Sequence, residues 1–160
     1  MLTIVSGGQT GVDRAALDAV VEQGIPYRGW CPKGGWAEDL PAPPGVLALY
    51  PALCETPDAD PRQRAEWNVR DADGLMVLVD RAGVSVSKGT VFALECASSL
   101  GKPHVVIDLD ADGARDLATS FLGQGPRPLA VNIGGPRASE APGIYVKARA
   151  FLACLLASRI

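Results

Sequence analysis

The sequence is poor in the residues that build metal sites. It holds 1 histidine, His104, and 4 cysteines, Cys31, Cys54, Cys96 and Cys154, with no C-x-x-C pair. Neither a protein-built metal centre nor a disulfide framework is expected from that supply. A basic excess is also missing: 15 Lys and Arg stand against 18 Asp and Glu, a formal net charge of −3, which argues against a general nucleic-acid binder. No apolar run approaches the roughly 18 residues that span a bilayer. The start has neither a basic n-region nor a cleavage site, so a cytoplasmic protein with no membrane partner is the expectation.

What is present suits a folded domain. The 160 residues are 48% hydrophobic and 21% charged, enough for one domain, 1–160, with a substantial core. Apolar runs fit strands at Leu2–Val5, Leu75–Val79, His104–Leu109 and Leu129–Ile133, with a weaker candidate at Val46–Tyr50. Helical patterns lie between them, at about 12–23, 61–72, 90–100, 114–122 and 142–158. Strands without polar alternation predict a sheet covered on both faces, and alternation with helices predicts parallel βαβ units. The fold class is therefore α/β: a Rossmann-like three-layer domain with a mainly parallel sheet. Cys96 and Cys154 fall among apolar helix residues and read as small core side chains, whereas Cys31 falls in a polar, glycine-rich stretch.

Three glycine-bearing turns follow strands. The first, "SGGQTGVDRAALDAVV" (6–21), offers Ser6, Gly7, Gly8, Gln9, Thr10 and Gly11 ahead of a helix, with Asp13 in its first turn. Glycines admit positive φ and close backbone approach, and free N–H groups at a helix start favour an anion. Asp13 can take a ligand hydroxyl or simply neutralise the helix dipole. The bland alternative is a tight turn whose glycines only pack. The second turn, "GVSVSKGTVFALE" (83–95), brings Lys88, Gly89 and Thr90 to another helix start. The third, "VNIGGPRASE" (131–140), brings Asn132, Gly134, Gly135 and Arg137. Three such turns at one sheet edge point to a shared cleft for a small phosphorylated ligand.

Two further stretches are ambiguous. "PRQRAEWNVRDADG" (61–74) reads as an amphipathic helix that either faces water or presents Arg64, Glu66 or Asn68 to the first turn, with Trp67 free to stack on a flat ring. "GWCPKGGWAED" (29–39) reads as a loop over the cleft, with Trp30 and Trp36 as shields and Lys33 within reach of a phosphate. Glu38 and Asp39 have no spacing that assigns them catalysis.

Taken together, "SGGQTGVDRAALDAV", "GWCPKGGWAEDLP", "ETPDADPRQRAEWNVRDADGLMVLV", "SKGTVFALECA" and "GGPRASEAPGIY" resemble, in order and over nearly the whole chain, the family known as putative molybdenum carriers, or molybdenum cofactor carriers. That family is similar to the wider Rossmann-like group of cytokinin-activating phosphoribohydrolases, also called lysine-decarboxylase-like proteins. The resemblance implies binding of the molybdenum cofactor, a phosphorylated pyranopterin that brings its own sulfur ligands, by a homo-oligomer, dimer or tetramer. It also implies molybdoenzymes or cofactor-synthesis proteins as partners. Carried over by motif, it marks Ser6 to Thr10 with Asp13, then Lys88, Gly89 and Thr90, then Asn132, Gly134 and Arg137. One departure is Lys88, which stands where the family often has a glycine.

The alternative is a nucleotide-binding protein or hydrolase of the phosphoribohydrolase type. The signature glutamate of that group would fall at Ala93, and the nearest acid is Glu95. Two residues along a helix rotate a side chain by roughly 200°, which predicts Glu95 to point away from the cleft. A binding protein without catalysis is the expectation.

Overall fold

A computed structural model describes residues 1–127 and 129–157. In chain order the elements are β1 (Leu2–Val5), α1 (Val12–Gln23), β2 (Tyr27–Cys31), β3 (Leu53–Glu55), α2 (Pro61–Arg70), β4 (Gly74–Val79), α3 (Lys88–Ser99), β5 (His104–Asp108), α4 (Ala114–Gln124), β6 (Leu129–Gly134) and α5 (Ile144–Ala157). The strands pair in the order β3-β2-β1-β6-β4-β5, every pair parallel. This is the expected α/β, Rossmann-like sheet.

Two apolar layers explain why the sheet is sandwiched. On one face Ala16 and Val20 of α1, Leu122 of α4 and Leu152 of α5 pack against Ile4, Met76, Leu78, Ile107 and Ile133. On the other, Val69 of α2 and Ala97 of α3 pack against Leu75, Val77 and Val79. Alternate residues of β4 thus feed opposite cores, as a strand with period 2 must when both faces are covered. All six residues of β4 are buried, and each large side chain removed from water contributes about 1.5–3 kcal/mol.

Three expectations are corrected. The weak strand candidate Val46–Tyr50 is a 3-10 turn, Gly45–Ala48, followed by buried Tyr50. Its apolar residues pack with Leu17, Cys31 and Leu53 beside the sheet rather than in it. The strands in that region are β2, "YRGWC", and β3, only three residues long. Neither carries an apolar run. The last helix begins at Ile144, after Gly143 at φ 86; residue 158, its expected end, lies outside the described residues. Cys154 is exposed rather than part of the core, while Cys31 closes strand β2 instead of lying in a loop and is fully buried.

Candidate functional site

In an open parallel sheet ligands gather where the strand order reverses, beyond the carboxyl ends of the strands. Here β1 leads outward to β2 and β3, the chain crosses to β4 and β5, and β6 fills the gap between β1 and β4. A cleft of about 570 Å³ opens at this place, between the sheet and helices α2 and α3. Its size suits a small organic ligand. Leu75 and Val77 of β4 and Asn132 of β6 line it from the sheet, and Ala65 and Asn68 from α2. The α3 wall presents Lys88, Val91, Phe92 and Glu95, the i, i+3, i+4, i+7 stripe of one helix face. Gln9, Asp13, Gly134 and Arg137 join from the first and third turns.

Several donors of the first turn are spent inside the protein. The N–H groups of Gly7 and Gln9 donate to the Asp13 carboxylate. The start of α1 is covered by a backbone carbonyl, with the Val12 N–H donating to Pro136 O at 3.3 Å. Gly11 has φ 79, and a Cβ there would collide with that same carbonyl. Ser6 Oγ donates to the Ile133 carbonyl at 3.0 Å. Thr10 Oγ1 donates to Glu38 and accepts from the Ala138 N–H at 3.1 Å. Accordingly Ser6, Gly7, Gly8, Thr10 and Gly11 are not among the residues lining the cleft. Thr10 and Gly11 instead line a shallower groove with Arg14, Asp18, Tyr50 and Tyr145. Gly8 takes positive φ (76), whereas Gly7 does not. What Gly7 provides is room: a Cβ would stand 2.5 Å from Arg64 Nη1.

The second turn is open. Ser87 Oγ caps α3 by accepting from the Thr90 N–H at 3.2 Å and the Thr90 hydroxyl at 2.9 Å, so the Thr90 hydroxyl is a helix-cap partner. Over Gly89 a Cβ would meet nothing within 4 Å. Lys88 lies beside that space, and Arg62, Arg64 and Arg137 line the same cleft. Arg62 holds its guanidinium 4.7 Å from the centre of the Phe92 ring. Arg137 Nη1 stands 4.0 Å from Glu38, and its guanidinium 5.8 Å from the Trp36 ring centre.

Arg64 makes the deepest of these contacts, 3.1 Å from Asp13 Oδ2. Burial pushes the Asp13 carboxyl above the usual aspartate value of 3.8, against the pull of Arg64 and of the Gly7 and Gln9 amides. Asn68 lines the cleft but its amide is committed: it donates to Trp30 O at 2.9 Å and accepts from Trp30 N–H at 2.7 Å, continuing a ladder beside β2. Lys33 is exposed and away from the cleft, with its N–H donating to Asp58 O at 3.1 Å.

The expected aromatic shields are placed elsewhere. Trp30 lies in β2, edge-to-face with Trp67 at 4.8 Å, and its indole N–H donates to Asp71 at 2.7 Å. The aromatic ring in the cleft is Phe92, unnoticed in the sequence because nothing set it apart from core residues. Arg62 was equally hidden, since its place follows from the Asp60 cap of α2, whose side chain accepts from the Arg62 N–H at 2.9 Å. Glu95 is also corrected: it lines the cleft. The cleft runs along α3, so a residue two turns below the helix start faces it as well. Burial pushes the Cys31 thiol up to about 11, so it is a poor nucleophile. Among the described residues no three His, Cys, Asp or Glu side chains gather as a metal site, and no helix is long and apolar enough to cross a membrane.

The fold is an open parallel α/β sheet with a cleft at its switch point. A family model described as the circularly permutated YpsA SLOG family matches residues 4–156, and the chain belongs to that family. The crystal structure of a putative molybdenum carrier protein from Syntrophus aciditrophicus SB is similar to it, with a TM-score of 0.81 and 36% identity over 96% of this chain and 94% of that one. No curated protein matches. The late position of β6 in the chain and its central position in the sheet agree with a permuted order of elements.

Proposed function

We propose that this protein is a carrier that binds a small phosphorylated ligand, with the molybdenum cofactor as the ligand that fits best. The observation that carries this reading is the open space over Gly89 at the start of α3, flanked by Lys88 and facing Arg62, Arg64 and Arg137 across one cleft. A phosphate there would meet the positive end of a helix and several cationic side chains together. The similarity to a putative molybdenum carrier protein supports the choice of cargo. Such a cargo brings its own dithiolene sulfurs, so the chain's scarcity of Cys and His is no obstacle. In this reading the protein works in the cytoplasm as a homo-oligomer and hands its cargo to molybdoenzymes or receives it from cofactor-synthesis proteins.

The test is equilibrium binding of molybdenum cofactor released from a molybdoenzyme, under anaerobic conditions. Saturable binding at micromolar concentration, weakened tenfold or more by Lys88→Glu, is the expected result. Absence of saturable binding overturns the reading.

A second reading, hydrolysis of a nucleotide derivative, is favoured by one observation: Glu95 puts a carboxylate on the cleft wall. It predicts release of free base from nucleoside monophosphates, lost in Glu95→Gln. A panel of nucleotides left intact removes it.

A further inference from the structure

Two side-chain amides in the cleft have hydrogen-bonding capacity that the protein leaves unused. Gln9 is 5% exposed and Asn132 is 6% exposed, and both line the cleft. The orientation of the Gln9 amide is fixed by its neighbours, because Oε1 accepts from the Thr10 N–H at 2.9 Å and the Glu38 N–H at 3.0 Å. Its NH2 group is thereby left as a donor, and it has no partner among the described residues. The Asn132 amide has none either, and it stands in the middle of the sheet, in register with Val5 and Leu75. Neither amide is among the fully buried atoms that lack a partner, so both are open to the water of the cleft, and a ligand that displaces that water must take over their hydrogen bonds.

The neighbours say what kind of partner. Asp13 adds acceptors only, and a carboxylate has about four lone-pair sites. Arg64 and the amides of Gly7 and Gln9 use three of them. Leu75 and Val77 supply an apolar floor, with Phe92 on the α3 wall, surfaces that suit a flat ring better than a sugar. The geometry points to a subsite for the lactam edge of a heterocycle, a ring carbonyl beside a ring N–H, with the carbonyl accepting from Gln9 and Asn132 and the N–H donating to Asp13 or Asn132 Oδ1. This inference rests on the phosphorylated-ligand reading and assigns the end of the ligand away from the phosphate. Guanine nucleotides and pterin phosphates share that edge; adenine has no ring carbonyl.

The test is calorimetric titration of the full chain with GMP, IMP, AMP, ribose 5-phosphate, 6-(phosphooxymethyl)pterin, guanosine and adenosine. The lactam-bearing phosphates are expected to bind about tenfold or more tightly than AMP, because a site built to hydrogen-bond a group rejects an analogue lacking it. The readout is the ratio of GMP to AMP affinity. Asn132→Asp exchanges the donor for an acceptor at constant shape, and Gln9→Glu keeps the acceptor for Thr10 and Glu38 while removing the donor. Collapse of the ratio in at least one variant supports the subsite; an intact ratio in both, or equal binding of GMP and AMP by the unaltered chain, overturns it. Where a variant gives no cooperative melt, Asn132→Ser replaces it in the same measurement. The two readings fail separately. Guanosine binding as tightly as GMP, and better than adenosine, removes the phosphate and keeps the subsite. GMP and AMP binding alike, both far above their nucleosides, removes the subsite and keeps the phosphate. Comparison of the GMP and pterin arms distinguishes the two sources of the lactam.

Discussion

The Arg64 guanidinium meets the Asp13 carboxylate at 3.1 Å, with the two side chains only 15% and 8% exposed. Each group is costly to bury alone, so the pair is held together more by the cost of separation than by net attraction. Replacing Arg64 with Leu is expected to lower stability by about 3–5 kcal/mol at pH 7. The pH dependence follows from the direction of the Asp13 shift. Its carboxyl is raised above 3.8 in the folded state, so its contribution is complete below that value and is lost as pH rises through the folded value. Without Arg64 the folded value climbs further. Melting temperatures recorded between pH 4 and pH 8 should fall more steeply with rising pH in Arg64→Leu than in the unaltered chain; parallel curves would refute the coupling.

Gly7 and Gly89 separate packing from binding. A methyl at Gly7 would stand 2.5 Å from Arg64 Nη1 and 3.1 Å from Asp13 Oδ2, so Gly7→Ala should displace Arg64 and cost about 1–3 kcal/mol. At Gly89 the same methyl meets open space in the first turn of α3. Gly89→Ala should therefore leave stability unchanged or raise it by up to about 1 kcal/mol, while weakening phosphate binding by filling the cradle. Urea denaturation and titration with a phosphorylated ligand check the two halves.

Asn68 belongs to the cleft wall but works on β2. Removing its amide leaves the Trp30 N–H and carbonyl without their partners at 2.7 and 2.9 Å. Asn68→Ala is expected to cost about 1–3 kcal/mol without altering which ligands are preferred. A changed GMP to AMP ratio in that variant would contradict a purely positioning role.

Thiol chemistry gives a check on burial. Cys54 and Cys154 are exposed, whereas Cys31 and Cys96 are buried, and burial raises the pKa of both inner thiols. In the native protein at pH 8, Ellman's reagent should report two rapidly reacting thiols, with the other two released only on denaturation.

The parts of the fold legible in the sequence were those with a periodic signal. β1, β4, β5 and β6 are apolar runs because both sheet faces are covered there. β2 escaped because its middle is Arg28 and Gly29, and a side chain at Gly29 would collide with the Ser6 backbone beside it. The cleft was legible as three glycine turns on one edge, and ten of the expected residues line it, from Gln9 to Arg137. What sequence could not give was how each donor is spent. The amides of the first turn go to Asp13 and those of Asn68 to Trp30, and such pairings depend on which loop lies against which turn. The residues that keep unused donors, Gln9 and Asn132, carry no sequence mark that separates them from committed neighbours.

The seat of β6 between β1 and β4 has a bearing on how the molecule comes together. Until residues 129–134 are available, β1 with its neighbours and β4 with β5 are two separate parallel ribbons with no shared hydrogen bonds. Their union waits for a strand that lies far along the chain from β1, the kind of distant pairing that slows folding. The same insertion delivers Asn132 and, just beyond the strand, Arg137. The cleft is therefore complete only once β6 has joined the two halves of the sheet into one.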